Sequence, residues 1–293
     1  MNSTIIKETK QQQLKVCPLC LEVKQIKEFA LGHIISRHHY KNLGIVLNED
    51  DEGMYVNFDE VGRISNAQPI NKSKSPIGIR EYLVCKVCDN KVIGSTLENY
   101  SAELIYNQKL REENYLKVLD VNNLRQGMFI EWHDVKYTTF KNYILSILWR
   151  NSVSRLTHYA HVNLGENINE ELREIIFNNK STSENKFKIY IWACNQIYDY
   201  QEKLISPFIE MNEGGVKFYI WTVGIFTYFI QISGESKIPF VQEGMHLKET
   251  GTFPVKIIPN IMYVSFIKFI TRCRHPSFNS QFFYNILFHD ARL

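Results

Sequence analysis

The sequence predicts an α+β protein in which a metal-bound N-terminal module is followed by a mixed domain of helices and strands. Two observations carry this prediction. Both Cys-x-x-Cys pairs of the chain fall within its first 88 residues. After about residue 115, strand-like apolar runs are interspersed with apolar residues at helical spacing. We therefore divide the chain into an N-terminal module, residues 1–115, and a second domain, residues 116–293.

The composition indicates a folded chain with only a weak overall charge. Its 293 residues suffice for one large domain or two ordinary ones, and 44% of them are hydrophobic. This apolar content excludes a disordered tail. The net charge is +3, so a nucleic-acid partner is permitted but would need a local basic surface.

Cysteine usage and the N-terminal sequence indicate the cellular location. A secreted disulfide scaffold would be shorter and denser in cysteine than this chain, which has six. The first residues, "MNSTIIKETKQQQLKV", lack the apolar run of a signal peptide. We expect a cytoplasmic, reducing location, where paired cysteines more often bind a metal than form disulfides.

The elements of the N-terminal module can be predicted in chain order. Residues 1–13 are polar and predict a frayed start. Residues 47–78 are charged and rich in turn formers, which predicts a hairpin and loop with "YVNF" and "GRISN" as its strands. The second cysteine pair opens a predicted helix, "CDNKVIGSTLENYSAELIYNQ", with apolar residues at helical intervals.

The second domain alternates between the two patterns. Strands are predicted in "YLKVLDVNNLRQGMFIEWHDVKY", in "NKFKIYIWACNQ" and in "GGVKFYIWTVGIFTYFIQISG", the last as one strand or two broken at Gly224. An amphipathic helix is predicted in "TTFKNYILSILWRNSVSRL", a second helix in "GENINEELREIIFNN", and a buried helix in "IPNIMYVSFIKFITRC".

The most apolar stretch, residues 218–230, is predicted to be buried strand and not a membrane span. It has 13 residues, whereas a helix needs about 20 to cross a bilayer. It is also rich in aromatic and β-branched side chains, which buried strands favour.

The two cysteine pairs predict a structural zinc site made by Cys17, Cys20, Cys85 and Cys88. Zinc prefers four soft ligands in a tetrahedron, and two Cys-x-x-Cys turns supply them. The gap between the pairs is 64 residues, so one ion would join two distant segments. With sulfur at all four positions the metal cannot activate water. The alternative is a redox pair, which needs only one Cys-x-x-Cys.

The segment between the pairs, "EFALGHIISRHHYKN", resembles the HNH (ββα-metal) nucleases, which are built on a treble-clef zinc scaffold. In that family a cysteine knuckle precedes an acid-His-Ile sequence, and a second knuckle opens a helix. Here "LGHII" and "YLVCKVCDNKVIG" take those places, over roughly residues 15–100. The resemblance implies a treble-clef/ββα-metal module with endonuclease activity.

A second resemblance extends further along the chain. Many uncharacterised bacterial proteins combine a knuckle, Ser-His-Ile-Ile-Pro, a second knuckle and a helix that ends in Trp-Arg. The segments "GHIIS", "GIREYLVCKVCDN" and "YILSILWRNSVS" are similar to these in the same order, up to about residue 175. A bacterial nuclease of this kind would suit defence against phage or plasmids.

The HNH resemblance implies roles for individual residues. His33 would be the general base, and Asp89 and Asn90 would be oxygen ligands of a catalytic divalent metal, magnesium or manganese. The family often has an acid directly before the histidine, where this sequence has Gly32. Asp89, His38 or a loop residue such as Asp59 would then have to replace it. The alternative for His33 is a packed histidine beside the knuckles.

Basic residues around the two knuckles are predicted to contact the nucleic-acid backbone. They are Arg37, His39, Lys41, Lys86 and Lys91. His38 and His39 could also be metal ligands, and lone lysines are usually just solvated surface.

Other polar residues and cysteines are weaker candidates. His133 and Asp134 are neighbours on a predicted strand and so face opposite sides. Trp149 and Arg150 are predicted to be a core anchor and a structural salt-bridge donor. Cys194 is predicted to be buried, and Cys273 to have no role.

Three functions remain open from the sequence. The first is a metal-dependent HNH-type endonuclease acting on DNA, or on RNA. The second is a zinc-stabilised module that binds nucleic acid or protein without catalysis, which Gly32 and the low net charge favour. The third is an effector whose second domain does the specific work through self-association or a protein partner.

Overall fold

The computed structural model describes residues 14–42, 54–58, 64–69, 80–106, 128–156, 162–194, 205–213, 215–234, 241, 244–259, 262–264 and 266–267. Within these ranges the chain combines one six-stranded sheet, three two-stranded pairs and several helices, which confirms the α+β prediction. The predicted start at residues 1–13, the boundary near residue 115, Asp59 and Cys273 lie outside the described residues.

Short strands dominate the segment before the second cysteine pair. In chain order the described elements are β1 (Leu14–Val16), β2 (Val23–Gln25), β3 (Gly32–His33), α1 (Arg37–Asn42), β4 (Met54–Phe58), β5 (Ile64–Pro69) and β6 (Arg80–Glu81). Each strand pairs antiparallel with one partner: β1 with β2, β3 with β6, and β4 with β5. The strands predicted in "YVNF" and "GRISN" are therefore present as the β4–β5 hairpin.

The helix predicted after the second cysteine pair is present, but its first part is wound more widely than an α-helix. Residues Cys88–Glu98 form a π helix, which continues directly into α2 (Asn99–Tyr106). The Asn99 N–H donates to the Gly94 carbonyl, five residues earlier, as the π geometry requires. Stretches of π helix are rare and often occur at functional sites.

The large sheet belongs to the part of the chain after residue 128. Its strands are β7 (Met128–Trp132), β8 (Ile189–Cys194), β9 (Ile209–Glu213), β10 (Val216–Val223), β11 (Phe226–Ser233) and β12 (Phe253–Ile258). They lie in the order β7-β12-β8-β11-β10-β9. The β12–β8 pair is parallel and the other neighbours are antiparallel.

The central strands of this sheet are buried on both faces, since their side chains alternate between two hydrophobic clusters. On β10, Tyr219 and Trp221 face the cluster that contains the helices and the N-terminal module. Phe218 and Ile220 face the opposite cluster, where residues of the helical segment at 262–264 and 266–267 cover the sheet. Strands buried on both sides need a continuous apolar sequence, as "VKFYIWTV" and "FTYFIQIS" provide.

The prediction for residues 218–230 is confirmed, because they lie in the β10–β11 hairpin that turns at Gly224. Gly224 has a φ of 56°, a left-handed conformation that glycine adopts at little cost. None of the described helices has the length and hydropathy needed to cross a membrane.

Two helices belong to the same hydrophobic cluster as the inner face of the sheet. They are α3 (Tyr137–Val153) and α4 (Gly165–Phe177). The sequence pattern predicted an amphipathic α3, and this is wrong, since α3 is buried along nearly its whole length. It is enclosed because α4, the π helix and α2 all contact it. Helix α4 buries only one stripe, Leu172, Ile175 and Ile176.

One hydrophobic cluster runs across the predicted division of the chain. It includes Phe29 and Ile93 of the N-terminal module together with Tyr143 of α3 and Trp221 of the sheet. The described parts before and after residue 115 therefore pack on each other. The boundary itself remains a prediction.

Candidate metal centre and the polar site beside it

The first cysteine pair lies in the tight turn between β1 and β2. The Cys17 N–H donates to the Glu22 carbonyl at 2.9 Å, and the Leu21 N–H donates to the Cys17 carbonyl at 2.8 Å. Leu21 has a φ of 62°, which closes the turn. Helix α4 fixes this turn from outside, since Arg173 Nη1 donates to the Leu19 carbonyl at 3.0 Å.

The second cysteine pair is brought to the first by backbone contacts. Cys85 forms a bridge with Phe29, and the Ala30 N–H donates to the Val84 carbonyl at 3.1 Å. The Cys85 N–H points at Cys17 Sγ, 3.3 Å away. Such N–H···S bonds stabilise thiolates. Cys88 is the first residue of the π helix, so a metal bound by the four cysteines would also fix the start of that helix.

The four cysteines come together as predicted. The Sγ atoms of Cys17, Cys20, Cys85 and Cys88 all lie within 4.8 Å of one another. A tetrahedral zinc with Zn–S bonds of about 2.3 Å sets its sulfurs about 3.8 Å apart, so this cluster can hold a structural metal such as zinc. A redox disulfide needs only one cysteine pair, so it does not explain why the two pairs lie together.

The thiols of the cluster influence one another strongly. A hydrogen bond from Cys88 lowers the pKa of Cys17 to about 4, while burial opposes it. The same hydrogen bond, together with burial, raises the pKa of Cys88. A divalent cation at the centre would stabilise all four thiolates and release their protons.

The carboxylate of Asp89 lies directly against Gly32. A Cβ atom on Gly32 would be 2.7 Å from Asp89 Oδ1 and 3.2 Å from Asp89 Cγ. Any side chain at position 32 would therefore occupy the space that the carboxylate takes. The acid that the HNH pattern places before the histidine is missing from the sequence, but an acid from the π helix lies at that position.

His33 is half-buried and surrounded by positive charge. Burial is the largest cause that lowers its pKa to about 4, followed by the guanidinium groups of Arg80, Arg37 and Arg150. Arg80 is the cross-strand partner of His33 in the β3–β6 pair, so the two side chains share one face. At neutral pH the imidazole is uncharged and can accept a proton.

We call His33, Arg80, Asp89 and Arg150 the polar site. Arg150 hydrogen-bonds to the elements on both sides of it. Its Nη1 donates to the His33 carbonyl at 2.8 Å, and its Nη2 donates to Glu98 Oε1 at 2.9 Å. The residue is 2% exposed. Its charge lowers the pKa of Asp89, although burial has the larger effect and raises that pKa overall.

His39 was predicted to contact nucleic acid, and this is wrong. It is 0% exposed. Its Nε2 lies 2.7 Å from the Tyr143 hydroxyl, its Nδ1 bonds to the Tyr106 hydroxyl, and its ring centroid is 5.2 Å from that of Trp221. Burial lowers its pKa to about 3, so the ring is neutral. Helical spacing on α1 turns His39 inward.

The other predicted site residues whose burial the structure describes include several at or near the surface. The exposed residues are Arg37, Lys86, Asn90 and Lys91, and His38 is half-buried. Lys41 lies within α1. Among the described residues, the four cysteines are the one group of three or more potential ligands close enough to share an ion. His33, His38 and Asp89 thus do not make a three-ligand metal site of their own.

No family model, curated protein or solved structure matches this chain. The treble-clef architecture and the HNH resemblance therefore stay predictions.

Two parts of the site differ from what the sequence predicted. Arg80 was given no role, although its strand pairing with His33 makes it a neighbour of the imidazole. Arg150 was predicted to be a structural salt-bridge donor, which is confirmed by its pair with Glu98, but its bond to His33 was not foreseen. The Trp-Arg sequence at the end of the apolar helix was the only available sign.

Proposed function

We propose that the chain is a metal-dependent, HNH-like endonuclease that hydrolyses phosphodiester bonds, with DNA as the favoured substrate. The cysteine cluster would be the zinc centre of a treble-clef module. The observation that carries the proposal is the contact of the Asp89 carboxylate with Gly32, directly before His33. It supplies, from another element, the acid that the HNH-like sequence lacks.

His33 would act as the general base. A neutral imidazole can take a proton from a water that attacks phosphorus. Burial is the largest cause of the low pKa of His33, and the positive groups that face it, Arg80 on β6, Arg37 on α1 and Arg150 on α3, lower that pKa further. A bound phosphodiester anion would offset the effect of the arginines and raise the pKa, which makes the imidazole a better base.

The same arginines favour an anionic substrate. Arg37 is exposed, and Arg80 lies opposite His33 on the neighbouring strand. Exposed Lys86 lies within the second knuckle and exposed Lys91 follows it, and both could contact the nucleic-acid backbone. Such contacts give affinity for nucleic acid without selecting a base sequence.

Asp89 would hold the catalytic cation, with Asn90 as a neighbouring oxygen donor. Magnesium is commonly bound through one or two carboxylates, with waters and substrate oxygens completing its shell. One carboxylate against Gly32, the residue directly before His33, fits that pattern, and the cation would neutralise charge on the leaving oxygen.

A zinc-stabilised binding module without catalysis is the second candidate. One observation favours it. Burial raises the pKa of the Asp89 carboxyl, whereas the charge of Arg150 lowers that pKa, and this positive charge would compete with a cation for the carboxylate. In such a module the arginines and lysines would bind nucleic acid, and Asp89 would only balance the charge of Arg150.

Cleavage assays separate the two candidates. The purified chain is incubated with plasmid and with single-stranded DNA in the presence of magnesium, manganese or nickel. His33→Ala and Asp89→Asn are compared with His133→Ala. His133 is 39% exposed and pairs with Glu131 on the large sheet, so it serves as a matched histidine control.

Metal-dependent cutting that is lost in His33→Ala and Asp89→Asn but kept in His133→Ala supports the endonuclease. Cutting that survives His33→Ala would contradict it. Retarded migration of DNA without cutting would support the binding module.

A further inference from the structure

The C-terminal end of α3 contacts both β3 and β6, the strands that carry His33 and Arg80. Arg150 Nη1 donates to the carbonyl of His33 on β3 at 2.8 Å. One turn later, Ser154 Oγ donates to Glu81 Oε2 on β6 at 2.7 Å, and the Arg155 N–H donates to the same oxygen at 3.3 Å. These bonds tie β3 and β6 to one helix end.

The guanidinium of Arg150 also ties the strand of His33 to the helix of Asp89. Its Nη2 donates to Glu98, the last residue of the π helix. Asp89 lies in the first turn of the same helix. Its Nε donates to the Ser146 carbonyl within α3 at 3.3 Å. Because a planar guanidinium has a fixed geometry, it sets the spacing of its three acceptors.

Helix α3 is itself held firmly. Trp149 is 1% exposed and lies in the same hydrophobic cluster as the inner face of the large sheet. The Tyr143 hydroxyl on α3 lies 2.7 Å from Nε2 of the buried His39 on α1. A displacement of the sheet or of α3 would therefore reach β3, β6 and the π helix together.

We propose that the end of α3 is the positioning element of the polar site, with Arg150 as its main positioning residue. The part of the chain after residue 128 thereby sets the geometry of a site whose reacting groups all lie before residue 107. This inference rests on the proposed function only where activity is the readout, since the geometry can be measured without it.

Hydrogen–deuterium exchange of the zinc-loaded full chain tests the proposal. Arg150→Gln is compared with Arg155→Gln, which changes an exposed arginine at the same helix end that contacts Glu81 through its backbone only. We expect Arg150→Gln to speed exchange about 10-fold or more in β3 and β6, while β8 and the zinc content stay unchanged. Arg155→Gln should exchange like the wild type.

Activity gives a second readout if the chain cuts DNA. A misplaced catalytic group lowers turnover more than substrate binding, so Arg150→Gln should reduce kcat about 10-fold to 100-fold and change KM about 2-fold at most. Arg150→Lys keeps the charge but not the fork of donors, so it should recover only part of the loss.

The outcomes distinguish this proposal from the proposed function. Unchanged exchange of β3 and β6 in Arg150→Gln would overturn the positioning role, whatever the activity. Faster exchange in Arg150→Gln, together with a wild-type chain that cuts no DNA, would support the positioning role and count against the endonuclease. If Arg150→Gln does not fold, Ser154→Ala decides, with faster exchange expected in β6 and unchanged exchange contradicting the proposal.

Discussion

The cysteine cluster and the polar site around His33 lie side by side but are assembled in different ways. All four sulfurs come from two tight turns, and backbone bonds at Cys17 and Cys85 hold the turns together. The polar site instead combines short strands, the π helix and a guanidinium from α3. Each half of the cluster depends on a short local motif, whereas every part of the polar site depends on packing between distant segments.

The difference shows what each region can tolerate. A metal centre with four strong ligands is self-sufficient once its two turns meet. A site held by hydrogen bonds to Arg150 and by the contact of Asp89 with Gly32 changes when any one of these groups moves. We expect substitutions in the first region to alter folding and those in the second to alter chemistry.

The largest effect is expected from removing a sulfur. Cys85→Ser should abolish stoichiometric zinc binding and unfold the N-terminal module, because a structural zinc contributes about 10 kcal/mol to such folds. Elemental analysis and thermal unfolding measure it. Cys194→Ala is the control, since Cys194 is buried in β8 outside the cluster and should keep about one zinc per chain. Equal zinc content in the two variants would contradict the assignment of ligands.

Gly32→Ala should lower activity strongly while leaving stability nearly unchanged, the reverse of the effect expected for the cysteine cluster. The new methyl group would displace the Asp89 carboxylate, which lies 2.7 Å from the Cβ position, while the backbone of β3 accepts alanine. We expect cutting to fall about 100-fold, worth about 2.7 kcal/mol, with less than about 1 kcal/mol of lost stability.

A double-mutant cycle provides the check on Gly32→Ala. In an Asp89→Ala background the methyl group has nothing to displace, so Gly32→Ala should have almost no further effect on cutting. Additive losses would show that Gly32 acts independently of Asp89.

The acid stability of the fold should report on the buried His39. Its pKa is about 3 when folded, well below the usual 6.5, because burial disfavours the imidazolium. The stability it contributes is present above about pH 6.5 and is lost as the pH falls toward 3, since the unfolded chain then binds the extra proton. Between pH 7 and pH 5 the loss from this group should be about 2 kcal/mol.

Denaturant unfolding at the two pH values measures this loss. Zinc binding also weakens in acid, so the relevant quantity is the difference between the wild type and His39→Phe. The variant should be less stable at pH 7 and less dependent on pH. The same slope in both proteins would mean that His39 is not the group responsible.

The smallest effect is expected at the outer edge of the metal centre. Arg173→Gln removes the bond to the Leu19 carbonyl in the first knuckle and should cost about 1 kcal/mol, the usual net value of one hydrogen bond. Thermal unfolding of the zinc-loaded chain measures it, with Arg155→Gln as the exposed arginine control. A loss of zinc in Arg173→Gln would show that the cluster is less self-sufficient than we infer.

The elements that could be predicted from sequence are those with a short-range pattern. Cys-x-x-Cys spacing predicted the cluster, and a continuous β-branched and aromatic run predicted the buried strand at residues 218–230, which forms the β10–β11 hairpin. The helix after Cys88 was also predicted, but its π winding was not, because apolar spacing does not distinguish five-residue from four-residue hydrogen bonding.

The failures came from long-range packing. His39 was expected at the surface as a nucleic-acid contact, yet His39 and Tyr40 on α1 are buried together with Ser36 just before the helix, at a helical spacing of three and four. That spacing was present in the sequence. The amphipathic expectation for α3 failed because neighbours cover it on nearly every side, which no single helix reveals.

The roles of Gly32 and Arg150 could be recognised only from the three-dimensional structure. A glycine before the histidine suggested a lost acid, and only the approach of the π helix places Asp89 there. The bond from Arg150 to the His33 carbonyl spans 117 positions of sequence. Contacts of that range depend on the whole fold.

Anomalous diffraction from manganese-soaked crystals tests the central claim most directly, namely that one zinc-held module presents Asp89, which lies against Gly32 before His33, as a second cation site. We predict a zinc peak among the four Sγ atoms and a separate manganese peak at the Asp89 carboxylate. Zinc without manganese at Asp89, or manganese bound elsewhere, would contradict the account.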